Sequence, residues 1–279
     1  MKVAIFGAGG QLGQALCTEL QRCGHHEVAA FQKADVDVAD RRQVQGAIDA
    51  GGIDVVINAA AMTDVDGCER DEAAAYRNNA LAARWLAIAA ERHKAFLIHV
   101  STDYVFSGEK GSPYHEWDAT APIQTYGSSK LAGEAEVRTH SSRHLIARTS
   151  WLYGGREKGF VRAILRRAEQ GEPLKVVVDQ AGSPSFIGDV AKGLIDLMEA
   201  GVYGTVHLAN AGGASRFDFA REIVRQAGLG VDVLPLDVAP STPAARPRNT
   251  SLASLVLGSV GIRMPTWQEG LHAFMQGEM

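Results

Sequence analysis

The sequence predicts an α/β protein: a doubly wound parallel sheet with a smaller, interleaved C-terminal lobe. Three observations carry that prediction. An apolar run, Lys2–Phe6, passes directly into GAGGQLG and then into a segment with apolar residues at helical spacing. Short apolar runs then alternate with amphipathic or alanine-rich stretches through residue 150, the pattern of parallel strands joined by helical crossovers. No repeat and no flexible linker separates the two halves, so the later elements are expected to pack onto the earlier ones.

The chain has 279 residues, enough for one large domain or two joined lobes. Hydrophobic residues make up 46% and charged residues 22%, ordinary values for a protein with a substantial core. The net charge of −4 argues against general affinity for nucleic acid. No apolar run approaches a membrane span and no leader precedes the first strand, so a cytoplasmic protein is expected. Cys17, Cys23 and Cys68 lack C-x-x-C spacing and read as reduced, partly buried thiols. The histidines form no H-E-x-x-H or Cys/His motif, so no metal site is predicted.

Along the chain, Gly7, Gly10 and Gly13 follow the first strand and precede the helical segment QALCTELQRC. In that context glycines permit a tight turn, close backbone approach to a diphosphate and close helix packing, and the helix amino end offers free N–H groups to an anion. The spacing G-x-x-G-x-x-G leans toward the short-chain dehydrogenase form of the motif. Glu27–Phe31 reads as the second strand. A carboxylate at its end would hold a ribose 2′-hydroxyl, but Phe31, Gln32 and Lys33 stand there and no acid comes before Asp35. The cofactor reading is therefore NADPH, with NADH as the alternative and Lys33 a phosphate contact or an ordinary loop lysine. Asp37 and Val38 would bracket the adenine edge.

Ile53–Ala61 reads as a buried strand whose terminal alanines leave room for a ligand. An alanine-rich helix is expected from Asp71 to His93, and Phe96–Val100 is the next strand. The stretch Ser101–Lys130 follows. Tyr126 and Lys130, four apart, would share one face of a helix. A lysine there would favour the phenolate and reach a neighbouring ribose, and the hydroxyl of Thr102 would join Tyr126 around a substrate oxygen. Together they form a proton-transfer device for carbonyl–alcohol chemistry. Residues 1–150 are read as the dinucleotide-binding unit. Residues 151–279 are read as mainly a substrate lobe, with residues 184–210 able to return to the first sheet. Its helices are expected over Phe160–Gln170, Asp189–Ala200 and Phe217–Gly228, and from Trp267.

The motifs GAGGQLG, NAAAMTDVD, STDYVFSG, YGSSKLAGE, RTSWLYG, VVDQAGSPS and ARPRNTSL occur in an order and spacing that resembles the dTDP-4-dehydrorhamnose reductase family. That family belongs to the extended short-chain dehydrogenase/reductases of Rossmann-type fold, and the resemblance covers nearly the whole chain. It implies Thr102, Tyr126 and Lys130 as the catalytic trio, reducing C4 of a nucleotide-linked 4-keto-6-deoxyhexose. It places Asp103 and Trp151 beside the sugar. Gly10, Gln11, Leu12, Asp37, Val38, Ala61, Met62, Thr63 and Val100 match cofactor-contacting positions. Arg246 and Arg248, with Asn249 nearby, are candidates for the substrate diphosphate, because a guanidinium meets phosphate oxygens in bidentate fashion. Ala15 and Gly188 stand where some relatives carry glutamates for an intersubunit magnesium, so neither metal nor that dimer is implied, and a homodimer of another kind is left open. Tyr104 follows Thr102-Asp103 where 4,6-dehydratases typically have glutamate, which argues against elimination. An epimerase, a reductase of another ketosugar, and a non-catalytic regulatory subunit on the same fold are the alternatives.

Overall fold

The computed structural model describes residues 1–155, 159–237 and 241–278; of the proline-rich stretch that begins at Val238, the first three residues lie outside these. Six parallel strands form the central sheet: β1 (Lys2–Phe6), β2 (Glu27–Phe31), β3 (Val55–Asn58), β4 (Phe96–Thr102), β5 (His144–Thr149) and β6 (Gly204–His207). Their spatial order is β6-β5-β4-β3-β1-β2. The chain runs outward from β1 to β2, then returns past β1 to β3. Ligand crevices of open α/β sheets lie at such a reversal, beyond the carboxyl ends of the strands.

Each strand alternates its side chains between two apolar layers. From β1, Val3 and Ile5 pack under α1 (Gln11–Cys23) and the helix Ile187–Glu199, against Leu16, Leu20, Leu194 and Leu197. Ala4 and Phe6 face the other layer, with Val44 and Ile48 of α2 (Arg41–Asp49) and Leu86 and Ala90 of α3 (Ala82–Arg92). The doubly wound class is thus observed.

The helix expected across Asp71–His93 is divided. Glu72–Tyr76 and α3 are α-helical, but Arg77–Leu81 is a π turn. Asn79 lies in that turn, is buried, and spends its amide on neighbours: Oδ1 accepts from the Met62 N–H at 2.8 Å, and Nδ2 donates to the Met62 carbonyl at 3.2 Å and to the Ser129 hydroxyl at 2.9 Å. One extra residue in the turn swings the side chain toward those partners, a frequent use of π turns.

The segment Thr125–His140 is α4, begun by Gln124, whose side-chain oxygen accepts from the Gly127 N–H at 2.6 Å. Beyond β5 come α5 (Phe160–Glu169), α6 (Ile187–Glu199), α7 (Arg216–Gln226) and α8 (Trp267–Glu278). Strands Leu174–Val177 and Val233–Leu236 pair in parallel. A separate core of Tyr153, Ile164, Phe219, Ile223, Leu271 and Phe274 holds this region together. β6 pairs with β5 and α6 packs on α1, so the chain crosses back into the central sheet before finishing the C-terminal region. Among the described residues no helix is long and apolar enough to cross a membrane.

Candidate active site

The glycine turn between β1 and α1 is built by sterics. Gly7 has φ +86°, and a Cβ there would lie 2.6 Å from the Ala60 nitrogen. A Cβ on Gly13 would lie 2.2 Å from the Gly7 carbonyl oxygen, so its role is to seat α1 against the turn; it lines neither cavity described below. Gly10 is the residue before α1, which has no side-chain cap and no acid in its first turn. Its first N–H groups and the positive end of its dipole thus meet an anion unopposed.

Two cavities share the walls Gly10, Ala59, Ala60 and Ala61. The first, of about 690 Å³, runs past Gly7, Gln32, Lys33, Asp37, Val38 and Met62. Asp37 is fixed by the Ala39 N–H at 2.9 Å and by Arg77 at 2.8 Å. Lys33 faces the cavity where an acid would exclude a 2′-phosphate. The second, of about 530 Å³, holds Gln11, Leu12, Thr63, Val100, Thr102, Asp103, Tyr104, Tyr126, Lys130 and Trp151. A long groove with a glycine cradle at its waist fits a dinucleotide, and its donors and lysine fit the phosphates.

At the far end of this groove, β4 ends on Thr102 and the short turn Asp103–Val105 begins on Asp103, while α4 delivers Tyr126 and Lys130, one turn apart. Lys130 is buried, and its Nζ donates to the Val100 carbonyl at 2.7 Å. Burial lowers its ammonium pKa to about 8. The Tyr126 phenol is pushed up, chiefly by burial, with the neighbouring Thr102 hydroxyl acting in the opposite direction. Beside a lysine a lowered phenol pKa is expected; here burial outweighs any such effect and the net shift is upward, with the Lys130 ammonium hydrogen-bonded to Val100.

Asp103 does not stand open to the cavity as a free carboxylate. Thr102 donates to it at 3.1 Å, Ser150 at 2.9 Å, and Thr250 also donates to it. Burial still dominates and raises its carboxyl to about 6. Thr102, expected to donate to a substrate oxygen, is occupied as a donor to Asp103 and as an acceptor from the Tyr104 N–H at 3.2 Å.

Trp151 lies just past β5 with φ +45°, a left-handed conformation that a bulky residue adopts only under constraint. One constraint is Gly182: a Cβ there would meet the indole at 2.5 Å. Another is Arg216, the first residue of α7, whose guanidinium carbon lies 3.5 Å from the ring centroid. Arg216 also lies close enough to Tyr104 for the two to interact electrostatically. Tyr104 packs edge-on to Tyr126 with centroids 6.0 Å apart.

Arg216 leads into a third cavity of about 650 Å³, lined by Arg167, Lys175, Arg246, Arg248 and Asp179 over apolar Phe160, Ile164 and Leu236. Arg246 and Arg248 are both brought there. Arg246 is already held by Asp66, at 3.0 Å, and by the Ala244 carbonyl. Arg248 is exposed. Asn249 is not in the lining: its N–H donates to the Gly108 carbonyl and its side-chain oxygen accepts from the Ser251 N–H, so it shapes the loop.

Sequence reasoning missed Arg216 and the hydroxyl cradle of Ser150 and Thr250. The cradle has no local signature, since its members lie 47 and 147 positions from Asp103. Arg216 had a faint one: a cation at a helix amino end opposes the helix dipole and invites a reason.

The groove, the buried Tyr–Lys pair and the hydroxyl beside it define an NAD(P)H-dependent oxidoreductase. The chain belongs to the dTDP-4-dehydrorhamnose reductase family: the family model described as the RmlD substrate binding domain matches residues 1–279. It is 44% identical to a dTDP-4-dehydrorhamnose reductase of Mycobacterium tuberculosis over 88% of this chain and 81% of the relative. It is 38% identical to the spore coat polysaccharide biosynthesis protein SpsK of Bacillus subtilis, over 99% and 97%. The crystal structure of dTDP-4-dehydrorhamnose reductase from Bacillus anthracis in complex with NADP superposes with a TM-score of 0.95, at 37% identity, covering 99% of each chain.

Proposed function

We propose that the protein reduces the C4 ketone of a nucleotide-linked 4-keto-6-deoxyhexose, dTDP-4-dehydro-L-rhamnose, to dTDP-L-rhamnose, using NADPH. The observation that carries this reading is one juxtaposition. The Tyr126–Lys130 pair and Thr102 stand where the dinucleotide groove approaches, through Trp151 and Arg216, a cavity rich in arginine. A ketosugar needs the first set of groups and its diphosphate needs the second. The names of the relatives supply the sugar.

When bound, the reduced nicotinamide supplies the hydride that C4 accepts. Tyr126 supplies the proton. Its raised pKa keeps the phenol protonated at neutral pH, and it gives that proton to the carbonyl oxygen as negative charge develops there. Lys130, cationic below about pH 8, stands on the same face to oppose the charge left on the phenolate, and its protons beyond the Val100 bond are available to ribose hydroxyls. Thr102 turns from Asp103 to the substrate oxygen; Asp103 keeps Ser150 and Thr250 and stays satisfied. Trp151 offers an apolar wall to the sugar. Free Cys17, Cys23 and Cys68 suit work in the reducing cytoplasm.

The test is a product-resolved assay with NADPH and a panel of nucleotide-linked 4-ketosugars. Reduced-nicotinamide absorbance should fall with dTDP-4-dehydro-L-rhamnose, and Tyr126→Phe should slow turnover by about 10²–10⁴-fold while NADPH still binds. Turnover of another ketosugar alone would reassign the substrate. Silence across the panel would end the reductase reading.

A further inference from the structure

The edge of the sheet opposite the active site carries a second constellation that the reductase chemistry does not use. α1 stops at Gly24, a left-handed cap with φ +73°, and the next two residues, His25 and His26, lead into β2. α6 packs along α1 and ends at Glu199, beside them. The Nε2 atoms of His25 and His26 lie 2.8 and 2.9 Å from the same carboxylate oxygen of Glu199. Their rings are 4.1 Å apart. The three ligand atoms fall within 4.8 Å of one another, and no other such His/Cys/carboxylate group occurs among the described residues.

Proton accounting makes this arrangement unusual. The Nδ1 of His25 lies 2.9 Å from the Cys23 carbonyl, which can only accept, so that nitrogen carries a hydrogen. In neutral His25 the Nε2 is then a lone pair aimed at a carboxylate. Either a second proton or a cation must lie between them. Hydrogen-bonding one ring nitrogen to a backbone carbonyl while presenting the other is how proteins orient metal-binding histidines. His26 has a side chain only 1% exposed, and its Nδ1 has no partner, so Nε2 is its one engaged ring nitrogen.

We infer that His25, His26 and Glu199 form a binding site for a borderline divalent cation of the zinc class. Two imidazoles and a carboxylate select Zn²⁺, Co²⁺ or Ni²⁺ over Mg²⁺ or Ca²⁺, and three protein ligands leave one tetrahedral position for water. Metal–ligand bonds of about 2.1 Å require ligand separations of about 3.3 Å, so the atoms need to part by about half an ångström from where they stand. Binding joins the end of α6 to the turn between α1 and β2 and releases the histidine protons. The ligands were invisible to motif searching because Glu199 lies more than 170 positions from the histidines.

The experiment uses tag-free full-length protein, treated with chelator and then titrated with Zn²⁺ by calorimetry, with Co²⁺ absorption as a second readout. One Zn²⁺ per chain is expected, with visible Co²⁺ bands. His25→Ala and Glu199→Gln, both at exposed positions, should each weaken binding at least about tenfold and lose the bands, while circular dichroism and reductase turnover stay as in the parent. Absence of stoichiometric Zn²⁺ binding by the parent would overturn the site and leave His25 an imidazolium. Unchanged binding in both variants, or equal displacement of Zn²⁺ by Mg²⁺, would do so too.

Discussion

Tyr126, Lys130 and Asp103 show how far burial governs single residues in this site. The sequence predicts a lysine that favours the phenolate; burial acts against the charged form of both residues, raising Tyr126 and depressing Lys130. In the mechanism proposed above, Lys130 must be cationic to oppose the phenolate. Activity should therefore decline as pH rises through about 8, where the ammonium loses its proton. A pH profile of kcat/KM in the parent should show that basic limb, and a limb centred near 10 would assign it to another group. Asp103 makes a separate prediction about stability. Its pKa is about 6 in the folded protein against 3.8 in the open chain, so the folded state binds the proton more tightly. Its contribution is present in full below pH 3.8 and is lost as pH rises through about 6, on the order of 3 kcal/mol for a fully buried group. Asp103→Asn lacks that titration. Relative to the parent, its melting temperature should climb between pH 4 and pH 7; a constant difference would show that Asp103 does not titrate in this range.

At the scale of elements, the catalytic strand and helix are locked by one buried carboxylate. Glu134, one turn beyond Lys130 on α4, accepts from Ser101 of β4 at 2.6 Å and from Arg148 of β5 at 2.7 and 2.9 Å. Arg138 donates to it as well and reaches Thr205 of β6. Three strands and the helix that carries Tyr126 thus share a single anion. Removing it leaves Arg148 charged and enclosed without its partner. Glu134→Ala should cost about 3–5 kcal/mol in urea denaturation, while the double variant Glu134→Leu/Arg148→Met should recover most of the loss. A single variant within 1 kcal/mol of the parent would rule out the lock. This lock lies inside YGSSKLAGE, but its partners are read only from the fold. The same is true of the π turn at Asn79. Periodicity predicts one long helix there, because an inserted residue whose side chain bonds to Met62 and Ser129 leaves no trace in an alanine-rich pattern. By contrast, the glycine turn was legible because the positive φ of Gly7 and the close approach of Gly13 to the Gly7 carbonyl are local demands, whereas the contact of Gly7 with Ala60 is read only from the fold. So was the placing of Tyr126 and Lys130 on one helix face, because four-residue spacing is itself local.

Across the whole molecule, the question is how the C-terminal region reaches a site built at the end of the central sheet. Two cross-connections do this. Asp66, in the short helix Val65–Arg70 that follows β3, holds Arg246 and the Ala244 N–H, fixing the arginine loop to the first lobe. Arg216 extends from α7 to lie on Trp151 beside Tyr104, and it also lines the cation-rich cavity. It is the residue that touches both ends of the proposed substrate path. On the proposed substrate path, Arg216 orients bound sugar through Trp151 without entering the proton transfer. Arg216→Met keeps the aliphatic stem over the indole and removes the charged plane. KM for the nucleotide sugar should then rise about tenfold, the scale of a partly desolvated cation–π contact, with kcat changed far less. Arg216→Lys should fall between, because it restores charge but not the flat stacking surface. Trp151 emission should shift in the Met variant as the guanidinium leaves its ring. Unchanged KM together with altered emission would show that Arg216 packs against Trp151 without setting how the sugar is held.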